Sequence, residues 1–148
     1  MRILLLVGLA VCLVAIAVSA RPSLDGARAV AQKNCGTLKV GPADGRRGAV
    51  GGAGCLLRAF QQHCQPATYT LSVFGVDTVA TDTFRLTRSG ALCRIGVTVS
   101  FEVVPQPPRL HQGRCKTLKR QNGLVIASGC TGSGVPKTIT LNPPTSAP

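Results

Sequence analysis

The chain has no tryptophan, one tyrosine and four phenylalanines. So few aromatics leave little for stacking on nucleic-acid bases, and no nucleic-acid module is recognisable, so sequence-specific reading of DNA or RNA is not expected. Acidic residues are equally scarce, with five Asp and Glu against 17 Lys and Arg, and Glu102 is the only glutamate. Paired carboxylates of the kind that hydrolyse glycosides are therefore hardly available, since Asp77 and Asp82 fall in a turn and at a strand start. No Cys-x-x-Cys occurs, and neither histidine stands at ligand spacing from a cysteine pair, His63 being merely adjacent to Cys64. That pattern argues against zinc or any other metal. Beyond the N-terminus no apolar run approaches the ~20 residues that a membrane-crossing helix needs.

What is there begins with an export signal over residues 1–20. Arg2 precedes an apolar run at 3–18, and Val18-Ser19-Ala20 places modest side chains before a cut ahead of Arg21. The run is too short for an anchor, and Val11 stands where a lipobox before Cys12 wants a smaller residue. The mature protein is expected to be secreted, extracellular or in the cell envelope, without a membrane span.

Cleavage removes Cys12 and leaves Cys35, Cys55, Cys64, Cys93, Cys115 and Cys130. An even set in an exported chain reads as a disulfide framework with fifteen formal connectivities. Cys55 and Cys64 cannot pair with each other within one helix, because nine residues separate them by ~13 Å. Among the connectivities that remain open, the preferred set is Cys35–Cys55, Cys64–Cys93 and Cys115–Cys130, the last across the final hairpin.

The net charge is +12, reduced by one when Arg2 leaves with the signal. A positive field of that size favours polyanionic partners such as wall polymers, acidic polysaccharide, anionic lipid or nucleic acid bound without sequence preference; solubility alone would also account for it.

Residues 21–34 read as a flexible leader, 35–141 as a single domain and 142–148 as a disordered, proline-rich tail. Residues 41–54, rich in glycine, read as a loop entering a helix. Leu56, Leu57, Phe60 and Cys64 share one helical face up to the stop at Pro66. The period then changes to two. Tyr69, Leu71 and Val73 alternate with Thr70 and Ser72. Residues 81–88 set Phe84 and Leu86 against Asp82, Arg85 and Thr87, and Ser89-Gly90 closes a hairpin into an apolar face of Cys93, Ile95, Val97, Val99, Phe101 and Val103. A last hairpin turns at Asn122-Gly123. The expected fold is α+β, one helix packed on an antiparallel β-meander of four to five strands, stapled by disulfides.

Over residues 50–130 this element order resembles the cystatin-type arrangement of a helix gripped by a curled meander. The Gln-x-Val-x-Gly loop of cystatins is missing, so the resemblance implies a fold and no inhibitory activity. The Cys-x8-Cys helix followed by Phe74-Gly75-Val76-Asp77-Thr78 is also similar to uncharacterised exported bacterial proteins, which implies no activity either.

Other constellations reduce to structural readings. His63, Asp77 or Asp82, and Ser133 follow the chain order of a trypsin-like triad, but that fold needs about twice this length. A thiol nucleophile would need an unpaired cysteine. The remaining candidates are cationic: Arg46 and Arg47 before the helix, and Arg109, Arg114, Lys116, Lys119 and Arg120 around the final hairpin, where lysines also block edge-to-edge pairing. Lys116 and Arg120 are expected on the strand face of Leu118, with Lys119 beside Cys115 and Thr117. The expected function is a non-enzymatic binding protein for polyanions that needs no cofactor. The alternative is an inhibitor of an extracellular enzyme acting through loop 105–111 or the Asn122-Gly123 turn.

Overall fold

A computed structural model of the chain describes residues 31–42 and 45–144. The expected export signal, most of the leader and the last four residues lie outside that range. The elements run β1 (Lys33–Gly41), β2 (Gly45–Gly48), α1 (Gly52–Gln61), β3 (Ala67–Phe74), β4 (Thr78–Ser89), β5 (Leu92–Val103), β6 (Arg109–Cys115), β7 (Thr117–Gln121), β8 (Leu124–Ser128) and β9 (Thr138–Thr140). Six strands form one sheet in the order β2-β1-β3-β4-β5-β6, and β7-β8-β9 form a second.

The fold is α+β, mostly sheet, but its large sheet is mixed, which corrects the expected meander. Strands β3 to β6 do meander. On the other side of β3, however, β1 pairs parallel with it, Leu38 opposite Leu71 and Val40 opposite Val73. The chain leaves β1, passes through β2 and α1, and re-enters the sheet running the same way, as a parallel pair requires a crossover. β1 escaped the sequence reading because its apolar positions change parity. Cys35 and then Leu38 and Val40 all face inwards, and a register shift between Asn34 and Thr37 accommodates the change. Lys33 and Asn34, read as leader, belong to this strand, and Arg46 and Arg47, read as loop, to β2.

One face of the large sheet is covered by α1 and the small sheet. Helix α1 buries Ala53, Leu56, Leu57 and Ala59 against Leu38, Tyr69, Leu71 and Phe84, while Leu118, Val125, Ala127 and Leu141 close the core from the small sheet. Gly52 lets the helix start lie against β3, because a Cβ there would run into the Tyr69 ring and the Cys35 carbonyl. The Tyr69 hydroxyl donates to the Leu141 carbonyl at 2.8 Å. Burial pushes its pKa up to about 12, opposed by the nearby Arg46 charge.

Three bridges, Cys35–Cys55, Cys64–Cys93 and Cys115–Cys130, close separations of 20, 29 and 15 residues. They are compatible with an oxidising compartment. α1 ends at Gln61, so Cys64 lies beyond the helix. Asn122 and Gly123 take φ of 50° and 78° between β7 and β8, the left-handed pair that a two-residue hairpin demands. Asn142, read as the start of a loose tail, is pinned: its Oδ1 accepts from the Val125 backbone at 2.6 Å and its Nδ2 donates to the Gly123 carbonyl at 3.3 Å. Among the described residues no helix is long and apolar enough to cross a membrane.

Candidate anion-binding site

The second face of the large sheet carries no helix. Because successive strand residues point to opposite sides, the pairing register fixes what lies on it. One row across the strands reads Thr37, Thr70, Thr83, Thr98, Gln112; the next reads Lys39, Ser72, Thr81, Ser100, Leu110. Hydroxyls meet across strands, Thr70 and Thr83 at 3.4 Å and Ser72 and Thr81 at 3.2 Å.

The row on the other side of Thr83 and Thr98 reads Thr68, Arg85, Gly96, Arg114. Neighbouring strands are about 4.8 Å apart, so Arg85 and Arg114 flank Gly96 at roughly 10 Å from each other. Arg94 lies two residues before Gly96 on the same face, opposite Thr87, and Thr98 two residues after it. A Cβ at Gly96 would come no nearer to another residue than 3.7 Å from the Arg85 carbonyl. Three cationic side chains and a hydroxyl thus border a strand position without a side chain. Glu102, at the far end of β5, is the only acidic residue among the described residues on this face; Asp82 points to the other. Such a depression donates charge-assisted hydrogen bonds to an oxyanion, its fork-shaped guanidiniums suited to carboxylate, sulfate or phosphate.

The sequence candidates are dispersed by the same register. Arg114 lies on the open face and Arg47 at its opposite edge, across from Lys39, where a groove of about 640 Å³ runs towards Phe74. Arg46, across from Val40, faces the covered side, with a buried Nε that has no hydrogen-bond partner among the described residues. Arg109 stands opposite Phe101 at the exposed end of the covered face. Lys116 occupies the bend between β6 and β7, its stem beside Gly129. That bend breaks the single strand face expected for Lys116, Leu118 and Arg120. Arg120 alone keeps the side of Leu118, and Lys119 points away from it. Arg85 and Arg94 were missed: a turn at Ser89-Gly90 would set Arg85 opposite Arg94, whereas the observed turn at Gly90-Ala91 sets it opposite Gly96.

The acid–base candidates do not converge. His63, with φ 55° just past α1, lines a surface hollow with Arg88. Asp82 lies six residues further along β4, roughly 20 Å away, and Ser133 sits in the loop that packs Gly132 and Gly134 on β6. Asp82 shares strand parity with Phe84 and Leu86, so it faces the covered side between Leu71 and Val99, with His111 one strand further, and not the polar face on which it was expected. Desolvation there raises its pKa from 3.8 to about 6. No group of three or more His, Cys, Asp or Glu among the described residues is placed to hold a metal ion.

No family model matches the chain, and neither a curated protein nor a solved structure does.

Proposed function

We propose that this is an exported, non-enzymatic binding protein that holds polyanionic envelope or extracellular polymers on the open face of its large sheet. The observation that carries the reading is the grouping of Arg85, Arg94 and Arg114 around Gly96 on a face where Glu102 is the single acid among the described residues. The rows of Thr and Ser beside them offer donors and acceptors to a hydroxyl-rich chain. A sheet presents these groups at fixed spacing, so little ordering is needed on binding. The bridges and the export signal fit a protein that works outside the reducing cytosol.

The test is salt-dependent retention on immobilised heparin or wall polymer. Polyanion contacts release counterions, so affinity should fall linearly on a log–log salt plot. Elution of the wild type at low salt, despite its large excess of Lys and Arg over Asp and Glu, would refute the proposal.

A further inference from the structure

A second cationic cluster lies on the opposite side of the molecule, where α1 meets β7. Leu118 and Arg120 are two residues apart on β7 and point the same way; Leu118 is buried in the core, and Arg120 reaches past it to the helix. A Cβ at Gly54 would lie 3.5 Å from Arg120 Nη2 and 3.7 Å from Arg58 Nη1. The two nitrogens are therefore at most about 7 Å apart, a gap that one tetrahedral oxyanion bridges with two hydrogen bonds of about 2.8 Å. Neither α1 nor β7 carries an acidic residue, and no ion pair engages either guanidinium among the described residues.

Gly54 is an independent observation. Glycine inside a helix weakens it relative to alanine. Gly52, two residues earlier, has a packing reason, because a side chain would strike Tyr69. Gly54 has none: its Cβ would meet only the two arginine nitrogens, at ordinary contact distance. What a methyl would fill is the space between them.

We infer that Arg58 and Arg120 clamp a phosphate or sulfate group over Gly54. This second anion site is independent of the open sheet face, and with it the protein presents anion sites on two opposite sides.

The test titrates isotope-labelled protein with sodium phosphate and sodium sulfate at ionic strength held constant by sodium chloride. The Gly54 amide and the Nε–H signals of Arg58 and Arg120 are followed by NMR. Saturable shifts at all three are expected, weakened about tenfold by Arg58→Gln or Arg120→Gln, the loss expected for a charged hydrogen bond. Arg120→Gln should move the midpoint of the Arg58 response by the same tenfold, because both arms hold one anion. Gly54→Ala should weaken binding severalfold while raising Tm, which separates a blocked site from a damaged fold. Replacing Arg85, Arg94 and Arg114 by Gln should leave this titration unchanged, so failure here and failure of the open-face proposal are distinguishable. A sulfated tetrasaccharide binding more tightly than inorganic sulfate would assign the group to a polymer ester, and equal affinity to a free ion. Shifts that chloride reproduces, an Arg58 response whose midpoint is unchanged in Arg120→Gln, or unchanged affinity in Gly54→Ala would each overturn the inference.

Discussion

Replacing Asp82 by asparagine should stabilise the protein at neutral pH and flatten its stability against pH. The carboxyl sits on the covered face of β4 between Leu71 and Val99, and burial raises its pKa from 3.8 to about 6. A folded-state pKa above the unfolded one means that the native state binds the proton more tightly. The contribution of Asp82 is then most favourable below pH 4 and is lost as pH rises through 6. At ~1.4 kcal/mol per pKa unit the ceiling is about 3 kcal/mol. The side chain is only half-buried, so solvent screening reduces this to about 1–2 kcal/mol. Urea unfolding at pH 4.5, 6 and 7.5 measures it. Wild type should lose about 1–2 kcal/mol relative to Asp82→Asn across that range, and the variant should melt roughly 4–8 °C higher at pH 7.5. A variant equal to or less stable than wild type at pH 7.5 would refute the reasoning, because it would mean that the carboxylate is held by favourable interactions and not merely tolerated.

Gly52→Ala should destabilise by more than 1 kcal/mol, because its Cβ meets the Tyr69 ring, and Gly54→Ala should stabilise by about 0.5–1 kcal/mol; thermal melts of both variants check the contrast within one helical turn. Tyr69→Phe should cost about 1–2 kcal/mol in denaturant unfolding, since it leaves the Leu141 carbonyl without its donor. Replacing Cys115 and Cys130 together by serine should cost about 3 kcal/mol for a loop of 15 residues, read from the shift in urea midpoint.

The parts of the fold that were legible share a local cause. Asn122-Gly123 demanded its hairpin because both residues tolerate positive φ, and the hairpin expected at Ser89-Gly90 forms one residue later, at Gly90-Ala91. The helix between Cys55 and Pro66 followed from its apolar spacing. What was illegible depended on chain returns. Residues 33–41 gave no clean period because the register shift after Asn34 changes which parity faces the core. Only the crossover through α1 shows that β1 runs parallel to β3. Charge clustering along the chain was a poor guide to charge clustering in space. Arg109, Arg114, Lys116, Lys119 and Arg120 are close in sequence, yet the bend at Lys116 sends them to different sheets and faces. The site around Gly96 instead joins three strands, and it becomes readable only when hairpin register is carried across the sheet. Arg58 and Arg120 meet only because the small sheet packs beside α1, which no local pattern announces.

The most direct test of the central claim is the salt dependence of heparin binding by the variant with Arg85, Arg94 and Arg114 all replaced by Gln. Each contact to a fixed anion contributes about 0.7–0.9 to the log–log slope, so the slope should fall by about 2–3 units if each arginine meets one charge, with the fold spared because exposed charges add little stability. A variant that folds and binds with the wild-type slope would contradict the account.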